Sequence, residues 1–125
     1  MQVKTDTKEK FHVITVKEPS LTASMTDDLT ECLMAFLQKE VKNLVLVLKE
    51  TTHVEEAAAK KLVELQQSFY ESGASFVICE LQAQVEEALD KMELLELLNV
   101  TPTESEAWDI VQMEEIEREM FGEDS

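Results

Sequence analysis

Two threonines, a histidine and two glutamates stand together in KETTHVEEAAAKKL, the stretch from Lys49 to Leu62. It follows the apolar run Leu44-Val45-Leu46-Val47-Leu48 and leads into a helical pattern. An α/β protein keeps its contacts at such junctions, beyond the carboxyl end of a strand. His53 and Glu56, three residues apart, form half of a metal-binding pattern. No second histidine or cysteine stands at ligand spacing and His12 is on a distant strand, so no metal site is expected. Cys79 lies within an apolar strand pattern with nothing in sequence to lower its pKa, so no catalytic thiolate is expected. A phosphate cradle needs glycines or a helix start with nearby positive charge. Gly73 and Gly122 are the only glycines, so no nucleotide or other cofactor is expected.

The carboxylates of Glu55 and Glu56 have a plain structural reading. In a first helical turn each complements the helix dipole by roughly 0.3–1 kcal/mol. Thr52 with Glu55 three residues on fits a capping box. Ala57, Ala58 and Ala59 are strong helix formers, so the helix can begin as early as His53. The same residues can instead form a small-side-chain surface that a partner approaches closely.

Wider composition narrows the choice. The chain has 125 residues, 44% of them apolar, and a formal net charge of −16. This is enough for one domain with a real core. Two glycines and two prolines argue against a barrel or sandwich of many tight turns. The negative charge repels phosphate backbones and anionic lipid headgroups, so neither nucleic acid nor membrane is an expected partner. Carboxylates crowd the segment from Glu104 to Glu117, and Arg118 is the only arginine. That segment, within ESEAWDIVQMEEIEREMFGEDS, is either a solvated helix face or a docking helix for a basic partner, with Trp108 early in it. Cys32 and Cys79 sit in apolar contexts without framework spacing and read as reduced core thiols of a cytoplasmic protein. The amino-terminal MQVKTDTKEKF is polar, which does not suit a signal peptide. No apolar run approaches the roughly 20 residues that cross a bilayer.

The elements that must position the junction follow from periodicity. FHVITV, Phe11 to Val16, alternates like a strand with one covered face, and the polar QVKTDTKEK is an edge strand beside it. Met25, Leu29, Cys32, Leu33, Phe36 and Leu37 make one helical stripe, with Ser24 and Asp27 as its amino-terminal cap. NLVLVLKE is a strand covered on both faces. A helix from about Val54 to Ser72 turns Ala58, Leu62, Leu65 and Phe69 inward and ends at Gly73. ASFVICE is another buried strand, reached by a short linker and hence a right-handed crossover. QVEEALDKM is a short helix with Val85, Ala88, Leu89 and Met92 inward. ELLELLNV is a tight apolar segment, and NVTPT a last short strand. The final helix opens at Thr101 or Thr103, turns Ala107, Trp108, Val111 and Met120 to the core with Ile116 at its edge, and leaves the last few residues as a polar tail. The fold class is α/β, order ββαβαβαβα: a central mixed sheet of about 4–5 strands with about 4 helices in a single domain.

This order, and the phrase NLVLVLKETTHVEEAAAKKLVELQQSFYESGASFVICELQAQVEEALDKMELLELLNVTPTESEAW, resemble a STAS domain, the fold of bacterial anti-sigma-factor antagonists and of sulfate-transporter tails. The resemblance runs from about Phe11 to Val111 and includes the pair Glu106-Ala107. In switchable members the strand before the central helix ends in Asp-Ser-Ser-Gly or Asp-Ser-Thr-Gly, and a partner kinase phosphorylates the serine that opens the helix. Here Glu55 falls at the aspartate, Glu56 at the phosphoacceptor, Ala57 at the second hydroxyl residue and Ala58 at the glycine. Thr51 and Thr52 lie too early to replace the serine. A carboxylate cannot be toggled, whereas phosphorylation adds about −1.5 to −2 charge.

The resemblance implies a bacterial, cytoplasmic, non-enzymatic regulator of transcription. Its partner would be a kinase-type anti-sigma factor. The docking surface would combine Thr51, Thr52, His53, Glu55, Glu56, Ala57 and Ala58 with Ser20, Thr22 and Ser24. Alternative readings are a scaffolding or homodimeric subunit built on an exposed sheet edge, and a small-ligand-binding domain.

Overall fold

The computed structural model describes residues 1–122 of the chain. Strands β1 (Val3–Thr7) and β2 (His12–Val16) form an antiparallel hairpin at one side of the sheet. A short strand β3 (Ser20–Leu21) leads through a 3-10 turn (Ala23–Met25) into helix α1 (Thr26–Met34), which tightens into a second 3-10 turn (Ala35–Gln38). Then come β4 (Leu44–Val47), β5 (His53–Val54), α2 (Glu56–Glu71), β6 (Phe76–Cys79), α3 (Ala83–Lys91), a 3-10 turn (Leu95–Leu97), β7 (Val100–Thr101) and α4 (Glu104–Gly122). The main sheet runs β1-β2-β4-β6-β7, and β3 pairs separately with β5. Pairing is parallel from β2 through β7, so the sheet is mixed only at its β1 edge.

The apolar runs are continuous because helices cover both faces. In β4, Leu44 and Leu46 join a core with Leu29, Leu33, Leu62 and Phe69 from α1 and α2. The alternate residues Val45 and Val47 point the other way, with Val77 and Cys79, onto Ala107 and Val111 of α4. Trp108 stacks on Phe11 with ring centroids 4.8 Å apart. Among the described residues no helix is long and apolar enough to cross a membrane.

Helix α2 ends as its sequence indicates. Gly73 has φ +76°, Gly73 N–H donates to Tyr70 O at 3.1 Å and Ala74 N–H to Phe69 O at 2.9 Å. This is a Schellman closure, for which the left-handed glycine is suited. Helix α3 closes identically, with Glu93 N–H on Asp90 O and Leu94 N–H on Leu89 O, but a glutamate occupies the left-handed position at φ +61°.

Four expectations are corrected. The pair β3–β5 was not legible, and His53 lies in a strand rather than opening the helix. Ser24 does not cap α1: it sits inside the 3-10 turn, and Met25 precedes the helix. The stripe of α1 is graded, with Leu29, Leu33 and Phe36 buried and Met25, Cys32 and Leu37 half-buried. Met120 does not face the core, being 64% exposed. Thr103 does open α4, its Oγ1 accepting from Glu106 N–H at 3.2 Å. The expected polar tail falls on residues 123–125, outside the described residues.

Candidate functional site

Strands β4, β6 and β7 run parallel and end together at Val47, Cys79 and Thr101. The chain leaving β4 therefore emerges at the carboxyl edge of the sheet, beside the start of α2. A turn closes there, Thr51 N–H donating to Leu48 O at 3.1 Å. Thr51 is fully buried and its Oγ1 donates to Glu18 O at 2.8 Å. Thr52 N–H, Thr52 Oγ1 and His53 N–H converge on a single acceptor, Pro19 O, at 2.8, 3.1 and 3.2 Å. Strand β5 then pairs with β3, placing Ser20 against His53 and Leu21 against Val54. Glu55 N–H donates to Leu21 O at 2.9 Å, and Glu55 Oε1 accepts from Ala23 N–H at 2.7 Å.

The two segments expected to share a surface are thus bonded to one another. Glu55 spans the seam: its backbone precedes α2 and its side chain holds the turn before α1. The expected capping box of Thr52 and Glu55 does not form, because the Thr52 hydroxyl is committed to Pro19 O and Glu55 itself is the N-cap residue.

Glu56 opens α2 with its side chain 61% exposed, 3.4 Å from Lys60 one turn on. Thr52, His53, Ala57 and Ser24 are also exposed, and Ser20, Thr22 and Glu55 half-buried. Ser24 Oγ lies 3.0 Å from Thr22 Oγ1. Thr51 and Ala58, grouped with the expected contact residues, are buried and lie beneath this surface rather than on it. Helix α3 buttresses the junction from the side: Gln82 Nε2 donates to Lys49 O at 2.8 Å and Gln84 Nε2 to Thr52 O at 3.3 Å. Glu80, at φ +57°, turns the chain from β6 towards these glutamines. Sequence reasoning missed Glu18, Pro19, Gln82 and Gln84. Their contributions are mostly backbone carbonyls or contacts more than thirty residues apart, which carry no local signal.

Burial pushes the Cys79 thiol up to about 12, helped by the nearby charges of Glu80 and Glu104, so it is a neutral thiol at physiological pH. Burial likewise raises Cys32. Among the described residues no group of three or more histidine, cysteine or acidic side chains is close enough to hold a metal ion.

A second polar cluster lies at the opposite end of the sheet. Asn43, nearly buried, donates through Nδ2 to Glu115 Oε2 at 2.7 Å and Lys10 O at 3.0 Å, and accepts at Oδ1 from Ser75 N–H at 2.8 Å. Ser75 Oγ and Tyr70 Oη both donate to Glu114 Oε1, at 2.6 and 2.7 Å. Burial, then the Glu114 carboxylate, holds the Tyr70 hydroxyl protonated well above the ordinary phenol range. Every member is paired and the cluster ties α4 to the sheet, which marks it as structural.

Residues 2–107 match the family model of the STAS domain. Several solved structures share the fold. A candidate anti-sigma factor antagonist from Thermotoga maritima is 20% identical, with a TM-score of 0.74 over 88% of this chain and 94% of that one. A serine-to-glutamate variant of RsbS from Moorella thermoacetica is 19% identical, TM-score 0.72, covering 90% and 96%. An anti-sigma factor antagonist from Mycobacterium paratuberculosis is 14% identical, TM-score 0.75, covering 89% and 93%. Among curated proteins none matches the sequence.

Proposed function

The chain belongs to the STAS domain family, and from that premise we propose that it is a protein-binding regulatory module and not an enzyme. The docking surface is the exposed seam of Thr52, His53, Glu56 and Ala57 with Ser20, Thr22 and Ser24. Its partner is an anti-sigma factor of kinase-type fold in a bacterial cytoplasm. Glu56 stands at the acceptor position, so the complex is not switched by phosphorylation.

One observation carries this reading: Glu56 is exposed at the first turn of α2, on a junction that the Glu55–Ala23 bond and the β3–β5 pair hold rigid. A rigid, solvent-facing carboxylate suits recognition, since little order need be imposed on binding. The buried, protonated Cys79 offers no nucleophile at this edge. The dimer alternative has less support. Edge strand β1 presents exposed Lys4, Asp6 and Thr7, the charged pattern that discourages edge-to-edge pairing.

The test mixes the full chain with a kinase-type anti-sigma factor and radiolabelled ATP. A stable complex is expected, with no label transferred to the chain. Glu56→Lys should weaken the complex by about tenfold or more, as for a central contact. An unchanged dissociation constant in that variant removes Glu56 from the surface.

A further inference from the structure

Helix α4 is apolar on two opposite sides. Ala107 and Val111 are fully buried against the sheet. Met113, Ile116 and Met120 follow the three- and four-residue spacing that aligns side chains on one face. At 3.6 residues per turn they lie roughly 140–200° around the helix from Val111. They are 59%, 56% and 64% exposed. The core is already served by the other stripe, so packing among the described residues does not account for them. Methionine is flexible and polarizable, which suits a surface that moulds to a partner.

The charges beside this stripe restrict what can cover it. Glu106, Asp109, Glu117 and Glu119 flank it and are exposed. Arg118, the only arginine, turns inward and donates to Asn43 Oδ1 at 3.2 Å. The outer face of α4 therefore carries no cation among the described residues. Lys10, on the β1–β2 turn, lies 4.0 Å from Glu115 and borders Ile116 and Glu119 at one edge of the stripe, leaving Glu106, Asp109 and Glu117 on the other sides. A second copy of the chain would bring two acidic rims together, and an anionic bilayer would meet the same repulsion.

We propose that the outer face of α4 docks a cationic amphipathic helix of another protein, with apolar side chains seated on Met113, Ile116 and Met120 and lysines or arginines against the flanking carboxylates. The surface lies on the sheet face opposite α2, apart from the Glu56 seam, and the inference does not depend on the function proposed for that seam.

The test uses the full chain and a labelled synthetic helix of leucine and lysine in amphipathic order, with the same residues scrambled as the control. Binding by the amphipathic peptide is expected, weakening as salt rises. The double variant Met113→Gln/Ile116→Gln keeps the charge and alters only exposed positions. It should lose about tenfold in affinity with an unchanged circular dichroism spectrum. Equal binding of the scrambled peptide, or an unaltered affinity in the variant, overturns the proposal, because either reduces the attraction to bulk charge. Two other results also overturn it: a dimer of the free chain that the double variant abolishes, and variant-sensitive binding to phosphatidylserine vesicles.

Discussion

The Glu55 carboxylate accepts the backbone N–H of Ala23 at 2.7 Å, joining the entrance of α2 to the turn that enters α1. A charge-assisted bond of this kind contributes about 1.5–3 kcal/mol when buried and less when partly exposed, as here. Glu55→Ala should cost about 1 kcal/mol in urea unfolding. Amide exchange at Ala23 should accelerate well beyond that at Leu62 in the middle of α2. Uniform acceleration across both would mean that the bond does not hold the seam.

Glu56 should behave oppositely, with little effect on stability. Glu56→Lys loses the Lys60 pair, about 0.3–0.5 kcal/mol, and sets a cation at a helix amino terminus, about 0.3–1 kcal/mol. A thermal midpoint lowered by only a few degrees is expected. If the proposed alignment holds, Glu56→Ser places a hydroxyl where switchable members carry their acceptor, and a kinase-type anti-sigma factor with ATP should then phosphorylate it. Intact mass spectrometry reads the result, and an unmodified variant bound by such a kinase would count against the assigned alignment.

Asn43 makes four side-chain contacts, to Lys10, Ser75, Glu115 and Arg118. Asn43→Ala leaves the buried Ser75 N–H without its acceptor. A loss of about 2–4 kcal/mol is expected by denaturant titration. A loss below 1 kcal/mol, on the order of one exposed bond, would show that water replaces the side chain.

Glu93 holds the left-handed closing position of α3 that glycine holds in α2. Relieving its Cβ strain by Glu93→Gly should stabilise the chain by about 1 kcal/mol. Calorimetry decides the sign, and destabilisation would reveal a favourable role for the glutamate side chain.

Cys79 gives a pH dependence. Its pKa rises on folding from the ordinary 9.0 to about 12. The folded chain therefore keeps a proton that the unfolded chain releases. The resulting stability is fully present below pH 9 and is lost as pH climbs towards 12. Cys79→Ala should flatten that decline relative to the parent, whatever its effect at neutral pH.

Elements with a strong period were legible in the sequence: the apolar runs of β4 and β6, the stripe of α2 and the closing Gly73. The capping signals were less reliable. Ser24 and Thr52 carry the right side chains, but each hydroxyl found another partner, Thr22 Oγ1 and Pro19 O. The β3–β5 pair is two residues long and rests on contacts between distant segments, so neither segment shows an alternation of its own. Placing His53, Glu55 and Ser20 on one surface relied on the family resemblance, and the structure supplies the bonds that join them. Met120 was misplaced because α4 has two apolar stripes, and a single-face reading assigns both to the core.

Coverage of the sheet is unequal. Three helices share one face, whereas α4 alone covers Val45, Val77 and Cys79 on the other. A layer one helix thick can detach as a cooperative unit at less than the free energy of global unfolding. Native-state thiol labelling of Cys79 would then report the opening of α4, at a rate set by that sub-global equilibrium. A ligand gripping the outside of the helix would slow the labelling without touching the cysteine.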